Sequence, residues 1–241
     1  QSKAGNYRKF AGGGGIGVIA SRLFLEGPIV KEKTSFIVSA RYAYPDWILK
    51  RTKDYNLRKS SGYFYDFNAH VNHKFNEKNS IHVSAYTSSD GFRLASDTLY
   101  RWTTTNASVK WNALLSDKVF LNVTGASGNY TYSIDGKSDS EQFTSSFGIR
   151  TLSAKMDMSY YATQKNKLDA GLGFNVYNFN SGNLQPVNNS SVNPIELQKE
   201  NAIEYHAFVS DEFRLNSKIT VQGGLRFSLY NVRGPNNVLV Y

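Results

Sequence analysis

Apolar and polar residues alternate one by one along this chain, over stretches too long for a chance pattern and with a period that fits extended strands and no helix. In residues 219–230 the odd positions are Ile219, Val221, Gly223, Leu225, Phe227 and Leu229, and the even ones Thr220, Gln222, Gly224, Arg226, Ser228 and Tyr230. Residues 63–75 put Tyr63, Tyr65, Phe67, Ala69, Val71 and Phe75 on one side, against Phe64, Asp66, Asn68, His70, Asn72 and Lys74. Residues 34–44 and 168–176 repeat the habit, and weaker runs cover 16–26, 81–88, 103–115, 119–132, 147–161 and 205–213. The pattern predicts an all-β chain of about ten strands. In two runs the apolar parity reverses: Phe147 and Ile149 precede Ala154, Met156 and Met158, while Val119, Leu121 and Val123 give way to Tyr130 and Tyr132. Either a β-bulge or a strand continuing past its apolar zone produces such a reversal. The basic stretch 47–59 has an imperfect helical spacing and is read as loop.

The connections between runs alternate in length. Short ones lie at 27–33, 76–80, 116–118, 164–167 and 215–218, and long ones at 45–62, 89–101, 133–142 and 181–199. Short turns on one edge and long loops on the other is the layout of an antiparallel up-and-down transmembrane β-barrel. A soluble β-sandwich also alternates, with its apolar side in a core. Length separates the two, because sandwich strands average about five to six residues, whereas runs of about 10 to 13 suit a tilted bilayer crossing.

Composition agrees with a sheet wet on one side. Of 241 residues 14% are aromatic, yet the mean hydropathy is −0.44. The longest unbroken apolar run is the four residues 238–241, far short of the roughly 20 that a spanning helix needs. A barrel needs only half of each strand apolar. Aromatics cluster at run ends, as in Tyr42 with Tyr44, Tyr63 with Tyr65, and Tyr130 with Tyr132, where an interfacial girdle would place them. Cysteine is absent, which removes disulfides, Cys-ligated metals and thiol catalysis.

Specific motifs resemble a known family. The stretch GGGGIGVIASRLFLEGPIVKEKTSFIVSARYAY, with Gly12 to Gly17, Ser21 to Ile29, Lys31 to Lys33 and Ser35 to Arg41, is similar to the early barrel of TonB-dependent outer-membrane receptors of the SusC-like branch. Residues 63–86 resemble the family's next hairpin and residues 204–231 a later one, with Asp211-Glu212 before its turn. The resemblance implies a 22-stranded plugged barrel, of which residues 1–241 would form one partial domain without plug or TonB box. It also implies outer-membrane uptake of a scarce glycan, peptide or siderophore and no enzymatic activity. Implied partners are outer-membrane lipid and lipopolysaccharide, the TonB complex acting through the plug, and a SusD-like surface lipoprotein. The location implied is the outer membrane of a Gram-negative bacterium.

Candidate ligand contacts fall in two of the long loops. The loop 45–62 carries Lys50, Arg51, Lys53, Arg58 and Lys59 against Asp46 and Asp54, a net charge of +3, with Trp47 and Tyr55 among them. Arg93, Asp97, Tyr100, Arg101 and Trp102 form a second cluster that mixes aromatic platforms with charged hydrogen-bonding groups. Trp47, Arg51, Tyr55, Arg93, Tyr100, Arg101 and Trp102 are therefore the expected ligand-binding residues, although Trp102 also suits a girdle. The net charge of +9 is scattered over loops and strands rather than laid on one face with interleaved aromatics, which argues against nucleic acid. The four histidines, His70, His73, His82 and His206, lack metal-ligand spacing, so neither a metal nor a cofactor is expected. Two alternatives remain at this stage. One is a self-contained ten-stranded barrel serving as porin, adhesin or rim protease, the last pairing His82 with Asp90; the other is a soluble β-sandwich.

Overall fold

A computed structural model of the chain describes residues 4–93, 98–137, 142–188 and 190–234. Its strands are β1 (Ala11–Ile16), β2 (Ala20–Val30), β3 (Thr34–Ala43), β4 (Ser61–Lys74), β5 (Asn79–Arg93), β6 (Thr98–Ser116), β7 (Val119–Lys137), β8 (Gln142–Tyr161), β9 (Asn166–Pro186), β10 (Ile195–Glu196), β11 (Glu200–Arg214) and β12 (Thr220–Arg233). They form one antiparallel sheet in the order β1 to β9, then β11 and β12, with the two-residue β10 added beside β9. All ten strands expected from the alternation are present. The two further ones escape that signal because β1 is AGGGGI, with too few side chains to alternate, and β10 is too short.

The strands from β6 to β9 run 19 to 21 residues, about twice what a tilted crossing requires. Most of the expected loops 89–101 and 133–142 is therefore ladder, continuing through β5–β6 and β7–β8 pairing to Phe92↔Tyr100 and Lys137↔Gln142. The parity reversal has the same origin. No register shift interrupts β7 against β8, so these strands carry on past their apolar zone instead of bulging.

Side chains alternate between two faces, named here by one residue each. The Leu172 face follows the ladder partners Leu172↔Met156↔Val123↔Trp111↔Ile81. The Trp102 face follows Phe64↔Asp90↔Trp102↔Tyr132↔Phe147. The apolar band on the Leu172 face packs against nothing. Leu172 is 55% exposed, Leu225 80% and Phe227 65%, and among the described residues the buried hydrophobic side chains are Ala113 and Ala202 alone. A sandwich of this length would enclose its apolar side between two sheets; here a single sheet leaves it bare, and the sandwich alternative is excluded. β1 and β12 do not pair with each other, and every residue of β12 is exposed.

The stretch read as loop after β3 is in part helical, as α1 (Asp46–Leu49) and α2 (Tyr55–Lys59). The local cause is Asp54, whose carboxylate accepts from the backbone N–H of Asn56 and Leu57 at 2.8 and 3.0 Å. Asp54→Ala removes this cap at a cost of about 1 kcal/mol. The expected readout is faster amide exchange at Asn56 and Leu57, with the sheet amides unchanged; equal exchange in both proteins would show that the cap does not hold the helix.

Candidate ligand-binding site

The first expected cluster is built on that helical connection. Asp46 Oδ1 accepts from the Gly62 N–H at 2.7 Å, tying α1 to β4. The Trp47 indole N–H donates to the Val18 carbonyl at 2.9 Å, and the Tyr44 hydroxyl donates to the Gly17 carbonyl at 2.7 Å, so both rings strut the turn between β1 and β2. The Arg51 guanidinium lies 5.2 Å from the Trp47 ring centroid and donates to the Trp47 carbonyl at 3.3 Å. Tyr55 sits apart on α2, with the Lys59 ammonium 4.4 Å and the Arg58 guanidinium 6.0 Å from its ring. The structure thus brings Trp47 and Arg51 together, with the indole edge already spent on the backbone and one ring face shared with Arg51.

The second cluster is strand rather than loop, and the ladder divides it. Tyr100 and Trp102 lie on the Trp102 face of β6. Arg101 lies on the Leu172 face, where its Nε donates to the Tyr63 hydroxyl at 3.2 Å and its guanidinium is 3.8 Å from Asp135. Arg93 ends β5 opposite Ser61, and its buried Nε has no hydrogen-bond partner among the described residues. Asp97 lies outside the described residues.

Trp102 has company that single-strand reading does not reveal. It stacks on Tyr132 at 5.4 Å between centroids, and Tyr132 stacks on Phe147 at 6.0 Å, with interplanar angles of 27° and 25°. Three neighbouring strands thus hold three rings in one row, each pair in the offset-stacked range. The rows on either side continue the patch, with Phe92↔Tyr100↔Ile134 above and Tyr130↔Ile149↔Phe179 below. Tyr130 and Tyr132 are therefore not girdle residues, for they share a face with neither Leu121 nor Val123. The row lies beyond the apolar band, which on β7 ends at Val123 and on β8 at Leu152.

Gly182 sets the far end of the row. It has φ +136°, and a Cβ there would stand 2.6 Å from the Phe147 ring. The ladder between β8 and β9 shifts register at this point, between Ser146 and Gly148. Gly182→Ala is expected to destabilise the strand end by more than about 1 kcal/mol, because an L side chain resists that backbone conformation. It should also tilt Phe147 off Tyr132, seen as loss of near-ultraviolet circular dichroism; an unaltered spectrum would mean that the ring is not held by this contact.

The structure does not bring together the His82–Asp90 pair that a rim protease would use. His82 and Asp90 share the Trp102 face of β5 but are eight residues apart along one strand, about 27 Å at the strand rise. The His82 ring nitrogen instead meets Asn72 Oδ1.

Comparison with known proteins turns on shape alone. No protein-family model matches the sequence, and no curated protein does. Solved structures do match. The copper transporter OprC superposes with a TM-score of 0.75 at 12% identity over 96% of this chain. BauA, the ferric preacinetobactin receptor from Acinetobacter baumannii, gives 0.72 at 12% over 99%, and the ferripyoverdine receptor of the outer membrane of Pseudomonas aeruginosa 0.71 at 10% over 94%. The fold is that of an outer-membrane receptor barrel. This chain spans 38%, 44% and 37% of those three structures respectively. In this sheet the Leu172 face carries the bare apolar band, and the aromatic row stands on the opposite face of strands that outrun the band.

Proposed function

We propose that this chain is part of the wall of a TonB-dependent receptor in the outer membrane of a Gram-negative bacterium, acting in uptake of a scarce ligand rather than as an enzyme. The observation that carries the reading is the change of polarity along β6 to β9: apolar on the Leu172 face over one crossing length, then aromatic on the Trp102 face beyond it. The Leu172 face meets lipid, and the Trp102 face lines the lumen and its outer mouth. Tyr100 and Trp102, joined by Tyr132 and Phe147, offer ring faces to a ligand of glycan, peptide or siderophore class. Trp47, Arg51 and Tyr55 stand at the same end, on the connection between β3 and β4. Arg101, engaged with Tyr63 and Asp135, holds the strand end instead of touching ligand, and Arg93 ends β5 beside it.

The motifs in residues 12–41 favour the SusC-like branch, and with it a SusD-like lipoprotein over the long-loop end. Energy reaches such a wall through a plug coupled to TonB. In cells dependent on this protein for a limiting nutrient, uptake is expected to stop when TonB is deleted or a protonophore is added. Uptake that persists under both treatments would mean passive diffusion and favour the porin alternative.

A further inference from the structure

We propose that Asp90 and the rings beside it form a seat for a protonated amine of the ligand, so that the aromatic row takes a cationic ligand in preference to a neutral or anionic one; this rests on the reading of the Trp102 face as the ligand-bearing side. Asp90 stands in the aromatic row itself, as ladder partner of Phe64 on one side and of Trp102 on the other. Neighbouring strands lie about 5 Å apart, so the carboxylate is framed by two rings. Phe92, two residues further along β5, and its ladder partner Tyr100 close the frame toward the strand end.

The charge on this part of the face has one sign. Over residues 62–70, 84–92, 98–106, 128–136 and 143–153, which cover β4 to β8, the fully charged side chains on the Trp102 face are Asp66 and Asp90; His70 is the one imidazole, and Lys and Arg are absent. Arg101, Asp135 and Arg150 lie in the same ranges but on the other face. The base on the next strand, Arg41 of β3, is committed, for its Nε and Nη2 donate to Asp66 Oδ2 at 2.8 and 2.6 Å. Further in on the same face, Asp157 and Asp169 are paired with Lys155 and Lys167 at 3.1 and 2.8 Å. The Asp90 carboxylate has no hydrogen bond or ion pair with any described residue.

Arg41 displays the mode of binding one row inward. Its guanidinium lies 4.6 Å from the Phe64 ring centroid while it bonds Asp66, a cation held by a carboxylate and a ring together. Asp90 and Trp102 repeat the carboxylate and the ring, and there the cation comes from the ligand. Trp is the best aromatic partner for a cation, and a charge-assisted hydrogen bond to the carboxylate adds direction. A sugar hydroxyl would gain the hydrogen bond without the ring attraction, and a phosphate or carboxylate would be repelled by Asp90. The ammonium qualifies whether a peptide or an amino sugar carries it.

The test uses the full-length protein carrying this chain, in dodecylmaltoside micelles, titrated calorimetrically with two pairs of probes at mildly acidic pH. One pair is the glucosamine trimer against the N-acetylglucosamine trimer; the other is trialanine amide with a free against an acetylated amino terminus. In at least one pair the amine is expected to bind about tenfold more tightly than its acetylated form, and the pair that does so tells an amino sugar from a peptide amine. Added salt should narrow that gap. Asp90→Asn should erase it while the barrel still resists unfolding on a cold gel, and Trp102→Ala should weaken amine binding several-fold. Asp135→Asn, at the same end of the sheet on the opposite face, should leave the preference as it is. Equal binding within both pairs, no binding by any of the four probes, or a preference undiminished in Asp90→Asn would overturn the seat. The transport reading falls on a different result, uptake that persists without TonB.

Discussion

Leu172→Arg is expected to cost the protein about 2–4 kcal/mol in a bilayer, the penalty for a cation at the midplane on the lipid side of a barrel strand. Leu172 is the middle of five apolar positions on the Leu172 face of β9, between Leu168 and Val176. The control is Ser153→Arg, one strand away on the opposite face. Ser153 lines a cleft of about 240 Å³ with His70, Ser84 and Thr151, so an added guanidinium there has polar neighbours and room. Denaturant unfolding in lipid vesicles reads both variants. A large loss at 172 with less than about 1 kcal/mol at 153 supports the assignment of faces; equal losses, or the reverse order, would show that the apolar band is not the lipid side.

Trp102→Ala should raise the half-saturating ligand concentration for uptake several-fold, up to about tenfold, and Tyr132→Ala should do the same. The stacked-pair term itself is worth about 0.5–1.5 kcal/mol, where 1.4 kcal/mol is tenfold. The two effects should not add, since each ring is half of one platform and loss of either leaves its partner unsupported. Arg101→Gln is the contrasting variant. It is adjacent in sequence to Trp102 but turned to the opposite face and engaged with Tyr63 and Asp135, so uptake should keep its half-saturation. If Arg101→Gln shifted uptake as much as Trp102→Ala, the division of this cluster between two faces would lose its functional meaning.

The ten alternating strands were legible because each carries its own signal, one residue in and one out, whatever its neighbours do. Their upper halves were not. Past Val123 and Leu152 the Leu172 face turns to Ser127, Asn129 and Arg150, and the apolar residues move to Tyr130, Tyr132, Phe147 and Ile149. The alternation survives with its sign reversed, and within one strand that resembles a bulge or a loop. Which rings meet is a question of register between strands, and nothing in the order Trp102, Tyr132, Phe147 states that these three positions are ladder partners. The parity reversal was the available clue, since strands that reverse together must share a second zone. The α2 cap was also readable, because Asp54 stands two and three residues before the amides that it accepts from, but the poor apolar spacing of residues 47–59 outweighed it.

Every long ladder in the sheet joins strands that are neighbours in sequence, once the two-residue β10 is set aside. Among the described residues no pairing waits on a distant segment, so closing each of these successive hairpins costs only the entropy of its own connection, and that cost grows slowly with length. Such a chain has a natural order of assembly. A new hairpin finds its template in the strand just laid down, and contacts stay local throughout, which favours speed.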